Sequence, residues 1–93
     1  MDKAEARQIA EKELELYRSI SYQELAGRID QCEHYEGASE HGEQYQIQFD
    51  FFFDDGESRN IRVISKVSYS GWTDFFPVSS DFIIAPDGSF VDE

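Results

Sequence analysis

Two periods divide the chain. From Asp2 to about Arg18 the apolar positions return every three or four residues. At about 100° per residue, Ala6, Ile9, Ala10, Leu14, Leu16 and Tyr17 fall on one face, the pattern of an amphipathic helix. Asp2 followed by Glu5 supplies a capping pattern at its start. Ser21-Tyr22-Gln23-Glu24 then matches the S-x-x-E capping box, with Ile20 before the cap and Leu25 at the staple position. The box predicts a short second helix over about 22–29, set at an angle to the first.

From Cys32 the period falls to two. A short strand over about 32–36 leads into the polar stretch Gly37-Ala38-Ser39-Glu40-His41-Gly42, which reads as a loop. Tyr45, Ile47, Phe49, Phe51 and Phe53 then alternate with Gln44, Gln46, Gln48 and Asp50, as in a strand with one face buried. Asp54-Asp55-Gly56 turns the chain. Ile61, Val63, Ser65, Val67 and Tyr69 mark the inner face of the next strand, and Phe76, Val78, Ser80, Phe82 and Ile84 mark another after a turn around Gly71. Pro86-Asp87-Gly88 signals a last turn, with Phe90-Val91 as a short return strand.

Parity constrains the register, because a slip of one residue sends every side chain to the wrong face. Both strands of the first long hairpin have odd-numbered inner residues, so its loop holds an odd number, three or five. The second hairpin pairs odd with even positions, so its loop is even, Gly71 to Asp74. With that loop Val67 faces Val78, Ser65 faces Ser80 and Val63 faces Phe82, and two serines lie side by side in the middle of the inner face.

These elements predict one α+β domain over 1–93, with helices over about 2–29 and sheet over about 32–92. An N-terminal helix and a short second helix pack on a curved antiparallel meander of four to five strands. The arrangement, helix first and sheet wrapped around it, looks like the cystatin or small NTF2-like roll. A likeness at fold level implies no function.

Composition makes that core feasible. The chain has 93 residues, of which 40% are hydrophobic and 15% aromatic, eight of them Phe. A chain this short needs large apolar side chains to bury enough surface. The single cysteine, Cys32, excludes an internal disulfide framework and a cysteine-cluster zinc site. The first fifteen residues are charged throughout, with no run of the kind a signal peptide needs, and no stretch approaches the length of a membrane span. A cytoplasmic setting is the expectation. Net charge is −12, from 8 basic and 20 acidic residues, which disfavours nucleic acid and anionic lipid as partners. The charge is uneven: 1–31 carries seven acids and five bases, 32–93 thirteen acids and three bases.

Among candidate site residues Glu13 stands out. It lies seven residues after Ala6, about 20° from the same direction, and so points into the apolar stripe. A carboxylate there is costly unless paired or hydrogen-bonded. It could floor a ligand cup between helix and sheet, with Ser65 and Ser80 opposite. It could equally sit at the open end of the roll or bond a backbone amide or Arg28. The serine pair likewise reads in two ways, as a polar cup wall or as small residues that let the helix approach, with Tyr17 or Leu16 filling the space. No nucleophile–base set forms, because neither His34 nor His41 is placed near the serines.

Cys32, His34 and Glu36 alternate on one strand face, but three ligands on one strand do not close a metal site. Asp50, Asp54, Asp55 and Glu57 around Gly56 lack the spacing of a calcium loop. No metal and no cofactor is expected. The outward face is less polar than an ordinary solvated sheet: Phe52, Ile64, Phe75 and Ile83 have outward parity, and Trp72 lies in the turn before Phe75. Such a cluster marks a partner surface, or else it is covered by the second helix, the C-terminus or strand twist.

Gly71-Trp72, Phe75-Phe76-Pro77, Asp81-Phe82-Ile83 and Pro86 to Val91, with the helical segment Leu16 to Tyr22, resemble small hypothetical bacterial proteins without an assigned activity. The resemblance implies a bacterial domain and brings no catalytic residue, cofactor or substrate. The leading expectation is a non-enzymatic protein-interaction or inhibitory module, binding a basic partner or a second copy of itself through Trp72, Phe75, Phe52 and Ile64. The alternative is a small-molecule cup floored by Glu13, Ser65 and Ser80. Without a nucleophile–base pair, phosphate loop or metal set, an enzyme ranks third.

Overall fold

Asp2 caps the first helix, α1 (Lys3–Tyr17), its carboxylate accepting from the Glu5 amide at 2.8 Å in the computed structural model, which describes residues 2–69 and 78–93. This satisfies one of the amides that every helix start leaves over. Ala6, Ala10, Leu14 and Tyr17 enter the core from one stripe. Leu16, expected with them, is 64% exposed. It lies more than about 100° from the centre of the stripe actually buried, on the flank the sheet does not reach.

Ser21 caps α2 (Tyr22–Ala26), its hydroxyl accepting from the Glu24 amide at 3.2 Å. Leu25 is fully buried and Ile20 packs against the core beside it. The helix stops earlier than the expected 29. Asp30 takes a left-handed φ of 65° and donates its amide to the Phe51 carbonyl at 3.0 Å, so the chain is already leaving the helix for the sheet.

Four strands follow as an antiparallel meander in spatial order β1 (Cys32–Ala38), β2 (Gln44–Phe53), β3 (Ile61–Tyr69) and β4 (Val78–Ile84). The fold is therefore α+β, two helices on an open four-stranded sheet. Val67 pairs with Val78, Ser65 with Ser80 and Val63 with Phe82, the register expected from parity and a four-residue loop. Phe49 lies beyond Ser65 on β2. The first long hairpin keeps its odd parity, yet Phe53 pairs with Ile61, so the loop runs over 54–60 and is longer than expected. Local bonds set that length: the Asp54 amide donates to Asn60, and the Asp55 carboxylate accepts from the Glu57 and Ser58 amides. Arg59 adopts φ 60° there, its carbonyl accepting from the Tyr22 hydroxyl at 2.6 Å and its guanidinium 4.7 Å from the Phe53 ring.

β1 also runs further than expected, through Gly37 and Ala38. Gly37 faces Tyr45, whose ring lies across it; a β-carbon at this position would sit 2.5 Å from the phenol. Only glycine leaves the ring that space. The expected return strand is a single bridge between Ile84 and Phe90, reinforced by the Val91 amide donating to Ile83.

α1 rests chiefly on β3 and β4. At the point of closest approach Ser65, wholly buried, donates its hydroxyl to the Ala10 carbonyl at 2.9 Å. Tyr17 at the helix end reaches β2 and stacks on Phe49 with ring centroids 4.3 Å apart. Among the described residues no helix is long and apolar enough to cross a membrane.

Candidate functional site

Because α1 covers β3 and β4, the inner row of β1 is left without a roof of its own. That row is Glu33, Tyr35 and Gly37, opposite Phe49, Ile47 and Tyr45. Glu33 organises it. One carboxylate oxygen accepts from the Tyr17 hydroxyl at 2.7 Å and the Tyr35 hydroxyl at 3.1 Å, while the other accepts from Arg28 at 3.2 Å. Burial, and then the adjacent Glu33 carboxylate, push the Tyr17 phenol well above its ordinary range. Tyr35 is held by its hydroxyl, yet its side chain is open: it is 52% exposed, edge-on to Phe49 at 6.0 Å. The result is an aromatic ring in fixed orientation on an uncovered strand.

The outer row of β1 is Cys32, His34 and Glu36, opposite Asp50, Gln48 and Gln46. The Cys32 sulfur lies 3.6 Å from His34 Nε2, which lies 3.0 Å from the Gln48 amide oxygen. Desolvation and the Asp50 carboxylate push the Cys32 thiol up, the opposite of what an attacking thiolate needs. Burial also pushes the Asp50 carboxyl up, but hydrogen bonds from Lys66, Gln48 and Cys32 outweigh it and hold the group below the ordinary carboxylate range. Among the described residues no three metal-type side chains gather closely enough to hold an ion.

The same face continues across β2, β3 and β4. Arg62 stands between Phe52 and Ile83, and Asp50 and Asp81 flank Ile64. Arg62 pairs with Asp54 and Asp81, and Lys66 with Asp50 at 2.9 Å. Phe52, Ile64 and Ile83 are half-buried within this lattice of ion pairs, not an open apolar patch. Trp72 and Phe75, expected to complete that patch, lie outside the described residues.

The expected cup residues are only partly assembled. Ser65 and Ser80 are cross-strand neighbours, with the Ser65 hydroxyl 3.4 Å from the Ser80 carbonyl. Ser65 already serves the helix backbone, so Ala10 fills the space that Tyr17 or Leu16 was expected to take. Glu13 is half-buried and close enough to Tyr45 to add to the upward push that burial gives that phenol. Arg28, one expected partner of Glu13, is bound to Glu33 instead. An open cleft of about 670 Å³ lies at this end of the sheet, lined by Glu36, Gly37, Tyr45, Gln46, Ser68 and Tyr69 among others.

The Glu33 cluster was missed in the sequence. Its signal was present: in a regular antiparallel pairing with β2, Glu33 and Tyr35 share inner parity with Phe49 and Ile47. Comparison of the chain with protein-family models, curated proteins and solved structures returned no match.

Proposed function

We propose that the chain is a non-enzymatic protein-binding module whose partner is basic. The observation that carries this reading is the division of the sheet. The helix backbone sits directly on Ser65 at the centre of β3 and β4, while β1 is exposed at every residue except the half-buried Glu33 and Gly37. A small-molecule cup over the two serines is correspondingly less favoured, since the helix occupies the space above Ser65. The net charge of −12 selects a basic protein and speeds its encounter. A cytoplasmic setting belongs to the same proposal, in keeping with one exposed cysteine held as a thiol.

Small-molecule binding is favoured by one specific observation, the cleft beside Tyr45. The test of the main reading is quantitative affinity capture from the source cell with the wild-type chain and with Tyr35→Lys, Glu36→Lys and Ile64→Lys. A protein retained by the wild type at sub-micromolar affinity and released by at least one variant supports the module. A capture profile identical across all four proteins, together with a metabolite that protects Tyr45, replaces it with the cleft.

A further inference from the structure

The edge of β1 is regular in its pairing. All seven residues pair one-for-one with β2, from Cys32 with Asp50 to Ala38 with Gln44, so the strand has no bulge. It contains no proline, lysine or arginine; its charged residues are Glu33 and Glu36, both acidic, which guard the edge against another acidic strand but not against a basic one. Among the described residues nothing pairs on its other side. Each edge strand of this kind leaves a row of unpaired amides and carbonyls along its length.

The chemistry beside this edge is one-signed. Between Arg28 and Arg59 the chain carries nine Asp and Glu and neither Lys nor Arg. Some of these acids are spoken for, Glu33 by Arg28, Asp50 by Lys66 and Asp54 by Arg62. Glu36, at the end of the outer row, is exposed. The inner row offers Tyr35, whose ring is fixed by the hydroxyl bond to Glu33 and by Phe49 behind it.

We propose that β1 takes up an extended segment of a partner protein as a fifth strand, and that this segment alternates basic with apolar residues. Resting on the binding-module reading, this names the surface and the occupant. The segment's backbone completes the hydrogen bonds of the β1 edge. Because successive side chains of a strand point to opposite faces, one set meets Tyr35 on the inner row and the other meets Glu36 on the outer row. Apolar side chains and the stems of lysine or arginine suit the exposed ring, and a cationic head suits Glu36. A second copy of this chain is a poorer occupant, since pairing β1 with itself brings two hairpins of the same sign together.

The experiment uses a labelled seven-residue peptide alternating lysine with valine or threonine, kept below its own aggregation threshold. A second peptide of the same charge has its alternate backbone amides N-methylated. Amide NMR and hydrogen exchange on the full chain are the readouts. Expected are shifts confined to β1 and its neighbours, slowed exchange of the outward β1 amides, and affinity at least about tenfold weaker for the methylated peptide and for Tyr35→Lys or Glu36→Lys. Equal binding of the two peptides means charge attraction alone and overturns the proposal. So do shifts centred on the 54–60 loop, or β1 amides already protected in a concentration-dependent dimer. A cellular partner released by Ile64→Lys but kept by Tyr35→Lys and Glu36→Lys overturns the edge while keeping the module. A chain that no variant separates from any protein removes the module itself.

Discussion

On β4 the chain comes back to finish the sheet. Ile84 bridges to Phe90, Val91 donates to Ile83, and the Arg18 guanidinium lies 4.9 Å over the rings of both Phe82 and Phe90 while it binds Glu93. α1 then covers the inner side of β3 and β4. On β1 nothing among the described residues returns, and the helix contributes only its last aromatic, Tyr17, to the bond with Glu33. The two margins of one sheet thus differ in purpose. The β4 side spends its side chains on closure, whereas on the β1 side the half-buried Glu33 bonds the Tyr35 hydroxyl and leaves that ring and Glu36 exposed. Order without burial costs side-chain entropy and contributes little to folding, which is the ground of the binding role proposed above.

The largest effect that could break this contrast compares one residue from each side. Phe82 is 3% exposed and Tyr35 52% exposed. Phe82→Ala is expected to lower unfolding free energy by about 3–5 kcal/mol. Tyr35→Ala should cost less than about 1 kcal/mol, as surface substitutions do. Denaturant titration checks both, and comparable losses would make the inner row of β1 part of the core.

Next comes Ser65→Val. If the helix truly rests on this position, a methyl in place of the hydroxyl and a second methyl beside it must displace Ala10, and the loss should be about 1–3 kcal/mol from overpacking. Were there an unfilled cup above the serines, the valine would be neutral or stabilising.

How far such contacts can be read from sequence follows from their range. The caps at Asp2 and Ser21 were legible because donor and acceptor are three residues apart. The β3–β4 register was legible because parity, with the four-residue loop expected from the sequence, leaves few choices. Parity could not supply the length of the 54–60 loop, since every odd number satisfies it; the Asp55 turn and Tyr22 hydroxyl decide. Leu16 stood at the flank of its helical stripe, where coverage depends on which strands lie beneath. The bond from Ser65 to Ala10 spans fifty-five positions, and no local period encodes it. Glu33 shares inner parity with Tyr35, but its bonds to Tyr17 and Arg28 depend on where the helical segment meets β1, which the alternation does not encode.

Arg18→Ala sharpens the comparison from the closed side. It removes two ring contacts and the Glu93 pair, all at a half-exposed site, and should cost about 1 kcal/mol. Its specific mark is faster exchange of the Val91 amide, with β1 and β2 amides unchanged. Uniform acceleration across the sheet would mean that the return segment is not a separate closing device.

Tyr17→Phe tests the boundary between the two sides through pH. The folded protein holds this phenol above its ordinary range, so the neutral form is favoured on folding. The stabilisation is complete below the ordinary tyrosine value, about pH 10, and is lost as pH rises above it, because the unfolded chain ionises first. Tyr17→Phe should therefore cost about 1 kcal/mol at neutral pH for the lost bond to Glu33 and flatten the fall in stability above about pH 10. Glu33 keeps Tyr35 and Arg28, so the variant should remain folded. An unchanged alkaline slope would assign the loss to other groups, of which Tyr45, also raised by burial and Glu13, is the first to examine.

Smallest of all should be the effect of Glu36→Lys on stability. The side chain is exposed, faces Gln46 across the ladder, and belongs to a chain of net charge −12. Reversing it relieves repulsion with neighbouring acids, so unfolding free energy should stay within about 0.5 kcal/mol of the wild type or rise slightly. A residue that the fold does not need can still be the one that binding needs, and only the pair of measurements separates these roles. Unchanged stability with weakened peptide binding places the acid at the edge for recognition. A clear loss of stability would instead make Glu36 part of what holds β1 on β2, and the margin would be closed by its own charges.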